Sequence, residues 1–150
     1  MPNTYTNLLY HIVFSTKDRR PLIRSAWQEE LYRYIGGIIR AEEGVQLEIG
    51  GVEDHVHILA QLKPTASVSG VLNKIKSNSS KWIHEQKPGH ESFAWQTGFA
   101  AFSVSESQVE RVRQYIRSQA EHHRVQSFQD ELVEIFKRHG VEFDPRYVWD

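Results

Sequence analysis

The triplet His55-Val56-His57 is the part of this chain whose residue types and spacing best suit chemistry. It lies in Glu53-Asp54-His55-Val56-His57-Ile58-Leu59-Ala60-Gln61-Leu62, which reads as a strand. Alternate side chains of a strand share a face. Val56, Ile58, Ala60 and Leu62 then form an apolar face, and His55 and His57 project together from the other. Two neutral imidazoles side by side suit a divalent metal ion. A core strand gains nothing from two polar rings that need partners. A simple pair of hydrogen-bonded histidines is the competing reading, and residue types alone leave the two even.

A second segment, Gln108 to Ala120, has helical spacing. Val109, Val112, Ile116 and Ala120 make an apolar stripe. Tyr115 and Gln119, four apart, stack on one flank of it. Arg111 lies one turn before Tyr115, and His122 falls near the same flank. A phenol can attack phosphorus and form a covalent phosphotyrosine. Free tyrosine, with a pKa near ~10, is a poor nucleophile at neutral pH, and a nearby divalent ion would help it. The alternative is an ordinary helix tyrosine resting its ring at the edge of the core.

These segments need a scaffold, and the rest of the chain supplies one. Residues 5–14 are rich in aromatic and β-branched types and read as a strand. Ser25 is placed to cap a helix over about 26–43, with Gly44 as its stop. Residues 46–50 read as a second strand, Gly50-Gly51 as a bend, and 54–62 as the third strand. Ser67 is placed to cap a helix over 68–86. Residues 93–104 read as a fourth strand or a bent strand pair. Ser105 or Ser107 begins a helix over 107–122, and a short helix follows near 127–138. The order strand–helix–strand–strand–helix–strand plus an extra C-terminal helix is that of an α+β, ferredoxin-like two-layer sandwich. Its first and third strands are central, so the histidines fall mid-sheet, where polar residues are least expected.

Composition permits this and narrows the chemistry. The 150 residues fit one domain, spanning 1–150, with one core. There is no cysteine, which excludes disulfides, thiolate metal sites and a cysteine nucleophile. That is compatible with a cytoplasmic location. Nothing at the N-terminus reads as a signal peptide, and no apolar run approaches the ~20 residues of a membrane span. The net charge of −1 argues against strong, non-specific nucleic-acid binding. Residues 125–150 hold Asp130, Glu131, Glu134, Glu142, Asp144 and Asp150 against Lys137, Arg138 and Arg146, which leaves the main body slightly basic. Lys17, Arg19, Arg20, Lys74, Lys76, Lys81, Arg111 and Arg113 are candidate phosphate contacts. A solvated charged surface is the plainer reading of each. Asp54 and Glu53 are placed to hold an imidazole from behind or to sit in a turn. His11 is placed to face the same site, though an ordinary hydrogen-bonded strand residue is the plainer reading. Phe93 and Trp95 are candidates for base stacking or for core packing.

Taken together, these residues resemble a known family. His55-Val56-His57 matches the His-hydrophobe-His motif of HUH endonucleases. Tyr115-Ile116-Arg117-Ser118-Gln119 resembles the tyrosine helix of the single-tyrosine transposases of the insertion-sequence 200/605 type. The likeness extends from the Tyr10–Lys17 strand to His123-Arg124, Phe128-Gln129-Asp130-Glu131, Gly140–Asp144 and Tyr147-Val148-Trp149. It implies a DNA transposase that cuts and rejoins single-stranded DNA by metal-assisted transesterification. Tyr115 would be the nucleophile, leaving a 5′-phosphotyrosine and a free 3′-hydroxyl. His55, His57 and Gln119 would bind one Mg²⁺ or Mn²⁺. The resemblance also implies hairpin ends of a mobile element as the DNA partner. It implies a homodimer in which the tyrosine helix of one subunit completes the site of the other. Two other readings fit the residues: a non-catalytic single-stranded nucleic-acid-binding protein, and a metal-dependent nuclease that uses water.

Overall fold

A computed structural model describes residues 3–123 and 126–146. Four strands, β1 (Leu8–Ser15), β2 (Val45–Val52), β3 (His55–Leu62) and β4 (Ala100–Val104), form one sheet in the order β2-β3-β1-β4. All three pairings are antiparallel. With helices α1 (Gln28–Ala41) and α2 (Val68–Gln86) in the connections, this is the expected ferredoxin-like α+β arrangement, and β3 and β1 are indeed central.

The alternation in β3 decides which face packs where. Val56, Ile58, Ala60 and Leu62 join Ile12 and Phe14 of β1 against Leu31, Ile35 and Ile39 of α1 and Leu72, Ile75 and Ile83 of α2. Phe93 and Trp95 fall in this core, so packing explains both. The opposite face is also covered. Helices α3 (Val109–Arg117), α4 (Gln119–His122) and α5 (Phe128–Arg138) lie on it. Val13 and Phe102 of the sheet pack there against Phe128, Leu132, Ile135 and Phe136 of α5. The histidine face is therefore the floor of a second, smaller core.

Local signals set several boundaries. Ser67 caps α2 by accepting from the Gly70 amide at 3.0 Å, and Ser127 caps α5 by accepting from that of Asp130 at 3.2 Å. Ser25 does not cap α1. Trp27 occupies the N-cap position with no side-chain cap, and its indole is buried in the core, so the helix starts after it. At the other end Glu43, not Gly44, takes the left-handed φ of 62°. Gly44 is instead needed for clearance, since a Cβ there would lie 2.8 Å from the Gln61 carbonyl oxygen. Gly50 and Gly51 do not bend the chain but continue β2, opposite His57 and Val56. The fourth strand is shorter than expected, and Trp95 meets Thr16 only through an isolated bridge. Among the described residues no helix is long and apolar enough to cross a membrane.

Ile58 has no exposed surface and is packed among both central strands and both helices of the larger core. Ile58→Ala is expected to lower stability by about 2–5 kcal/mol. Urea unfolding checks this as a fall in midpoint at unchanged slope.

Candidate metal and tyrosine site

The sheet presents His11, His55 and His57 to one small volume, and all three are buried. Each imidazole is held from behind. The Asp54 carboxylate accepts from His55 Nδ1 at 2.7 Å. His57 Nδ1 lies 2.8 Å from His11 Nε2. Both rings consequently point Nε2 outward, toward the helices.

What meets them there is a glutamate from α5. Glu131 is 2% exposed, in the middle of an apolar helix face. Its Oε1 lies 3.0 Å from His57 Nε2, 3.4 Å from His55 Nε2 and 3.2 Å from His123 Nε2. Its Oε2 accepts from Gln119 Nε2 at 3.2 Å and from the Tyr115 hydroxyl. Gln119 turns its Oε1 to His55 Nε2 at 3.0 Å. The Tyr115 ring stands edge-on to His57, with ring centroids 5.7 Å apart.

Electrostatics follow from this burial. Burial opposes a charge on His55, but Asp54 and Glu131 outweigh it and push its pKa up to about 9. Burial dominates at His57 and brings it down to about 4, and at His11, with His57 adding, to about 3. Burial also disfavours the charged form of Glu131, yet bonds from His123, His55 and His57 hold its carboxyl well below the usual range. Tyr115 is raised above its ordinary value, first by burial and then by the Glu131 charge. In this state the phenol keeps its proton.

The donor set fits a divalent cation. One ligand atom from each of His55, His57 and Glu131 lies within 4.8 Å of the others. Neighbouring ligands of an octahedral ion bound at about 2.1 Å stand about 3.0 Å apart. The Nε2 to Oε1 separations of 3.0 and 3.4 Å and the 3.0 Å from His55 to Gln119 match that spacing. Two imidazole nitrogens with carboxylate and amide oxygens suit a hard or borderline ion. Asp54 and His11 supply the outer contacts that orient such ligands. Beside Tyr115 the surface opens into a groove of about 670 Å³ between Arg111, Gln114, Ser118 and Glu121.

Comparison with known proteins gives this geometry a family. Residues 4–119 match the family described as "Transposase IS200 like". The chain belongs to the IS200-like transposase family. It is 31% identical over 131 residues to the transposase of insertion sequence element IS200 from Salmonella typhimurium, spanning 81% of this chain and 82% of that one. Among solved structures, a protein from Deinococcus radiodurans R1 superposes with a TM-score of 0.62 at 20% identity, covering 78% of this chain and 94% of the other. A REP-associated tyrosine transposase bound to a REP hairpin superposes with a TM-score of 0.61 at 15% identity, covering 81% of this chain and 72% of the other. Members of such a family rearrange DNA, and the two superpositions place the fold among theirs.

The four residues singled out from the sequence, His55, His57, Tyr115 and Gln119, lie together. The helix that carries the last two does not run unbroken. It breaks at Ser118, and Ala120, expected in its apolar stripe, is exposed. The candidate phosphate contacts are dispersed. Lys74, Lys76 and Lys81 are on α2, across the sheet from the histidines. Lys74 pairs with Glu42 at 2.6 Å, and Lys81 lies 4.0 Å from Glu85. Lys76 turns inward and donates to the carbonyls of Gln96, Thr97 and Gly98, and burial brings its pKa down to about 8. Arg113 donates to the Leu47 carbonyl at 3.1 Å. Lys17 and Arg19 form a short 3-10 turn after β1, with Arg20 next to it. Arg111 alone of the eight lines the groove beside Tyr115. The His122 side chain, Arg124 and Tyr147 to Trp149 lie outside the described residues. Local spacing in the sequence does not mark Glu131 as a site residue. Its signal is a carboxylate on the same helix face as Phe128, Leu132, Ile135 and Phe136.

A metal ligand must be unprotonated. His55 holds its proton up to about pH 9 in the metal-free protein, so a bound ion has to displace it. Mn²⁺ affinity is expected to rise roughly tenfold per pH unit from about 7 to 9 and then to level off. Calorimetric titration in buffers of different ionisation heat checks this through the released proton.

Proposed function

We propose that the chain cuts and rejoins single-stranded DNA at the hairpin ends of a mobile element, with Tyr115 as nucleophile and one Mg²⁺ or Mn²⁺ as cofactor. The observation that carries this reading is the Tyr115 hydroxyl, bonded to Glu131 beside two imidazoles whose spacing fits an ion. Membership of the transposase family supports it, and a structural neighbour is bound to a DNA hairpin.

The roles follow from position. His55, His57, Gln119 and Glu131 would hold the ion, which would polarise the scissile phosphate and offset charge building on its oxygens. Glu131 also fixes the direction of the Tyr115 hydroxyl. Tyr115 Oη forms the new bond to phosphorus, and the bond from phosphorus to the 3′ oxygen breaks. The phenol loses a proton and the 3′ oxygen gains one, so net charge is unchanged. Reversal by a 3′-hydroxyl restores the phosphodiester and the phenol. The groove past Arg111 gives the strand a route to Tyr115. Two copies pairing through the open sheet edges, β2 and β4, would give the homodimer.

The test is a denaturing gel of protein, Mn²⁺ and labelled single strands copied from both flanks of its own gene. A protein–DNA band that survives denaturation and requires metal is expected. In Tyr115→Phe it should fall by more than about 10³-fold. Cleavage that persists in Tyr115→Phe would mean a nuclease that uses water. Binding with no cut by either protein would mean a non-catalytic DNA-binding module.

A further inference from the structure

Gly50 stands directly across the β2–β3 ladder from His57. Cross-strand partners share a sheet face, so Gly50 borders the face from which the imidazoles project. Helix α3 crosses at this point. A Cβ on Gly50 would lie 2.6 Å from the Ile116 carbonyl oxygen and 3.0 Å from Ile116 Cγ2. The closer of these is backbone, so no rotamer change relieves it. Gly50 is not among the positive-φ residues, so what the glycine provides is clearance rather than an unusual backbone conformation.

Contacts on the preceding residues of β2 hold α3 in this seat. Arg113 Nη1 donates to the Leu47 carbonyl at 3.1 Å, and Arg117 Nε donates to the Glu48 carboxylate at 3.0 Å. Ile116, between them, has no exposed surface. Tyr115 precedes Ile116, and Gln119 follows it by three residues. The height of α3 above Gly50 therefore sets how near the phenol and the amide come to the histidines.

We propose that Gly50 is a positioning residue. Its missing side chain opposite His57 lets α3 lie close enough for Tyr115 and Gln119 to complete the His55–His57 site. This rests on the phosphotyrosine reading above. A methyl group at Gly50 must lift α3 by roughly 1 Å to reach ordinary contact distance. A displacement of that size at a reacting group can cost about 10²-fold in rate.

The experiment compares wild type, Gly50→Ala and Gly50→Val in three readouts: single-turnover formation of the DNA adduct, Mn²⁺ affinity without DNA, and thermal midpoint. Gly50→Ala should form adduct about 10²-fold more slowly and bind Mn²⁺ more weakly, because α4, which begins at Gln119 with only Ser118 between it and the end of α3, moves off with α3. Gly50→Val should be worse in both. Gly50→Ala with wild-type rate and wild-type Mn²⁺ affinity would overturn the positioning role. If wild type forms no adduct at all, the phosphotyrosine reading fails. Mn²⁺ affinity of Gly50→Ala then still decides the positioning role: a loss supports it, no change overturns it.

Discussion

Two imidazoles buried mid-sheet set a constraint that the rest of the chain meets. A buried polar ring without a partner costs free energy comparable to a lost hydrogen bond or more. Every ring nitrogen of His55 and His57 is accordingly met: by Asp54 and by His11 on the sheet side, by Gln119 and Glu131 on the helix side. Meeting them requires the helices after β4. A two-layer sheet with α1 and α2 alone would leave the histidine face open. The second core, from Val13 and Phe102 to Phe136, is what carries Glu131 to the imidazoles.

Charge balance gives the cluster its resting character. One imidazole is favoured as the cation and its neighbour as the neutral ring, and a single carboxylate is shared among three histidines, an amide and a phenol. Such a network is stable only when each member is satisfied. It is also poised. A cation placed among the same atoms would take over the role of the His55 proton. It would also offset the Glu131 charge that, after burial, helps to keep Tyr115 protonated.

Much of this was legible in the sequence, for physical reasons. Alternation in β3 separates the wholly apolar face of Val56, Ile58, Ala60 and Leu62 from the face that carries the histidines. Period and caps located α2 to the residue, because Ser67 and the run after it agree. The site's core of His55, His57, Tyr115 and Gln119 rests on short-range spacing, which a sequence displays directly. What escaped depends on long-range packing. Gly50-Gly51 looks like a bend locally, but the third strand and α3 make it a continuous strand with a vacant face. The helix after β4 breaks at Ser118, where the Ser118 hydroxyl donates to the Gln114 carbonyl, although its apolar stripe continues in sequence. Glu131 read as one acid in an acidic tail. Its neighbours Phe128, Leu132 and Ile135 place it on a buried face, but only the fold of α5 onto the sheet supplies the histidines that make burial tolerable.

The claim on which the account stands is that His55, His57, Gln119 and Glu131 enclose one divalent ion next to Tyr115. Anomalous diffraction from crystals soaked in Mn²⁺ tests it most directly. The account predicts a single strong peak between the Nε2 atoms of His55 and His57, in contact with Glu131. No peak there at saturating Mn²⁺, with the His–Glu contacts unchanged, would contradict it.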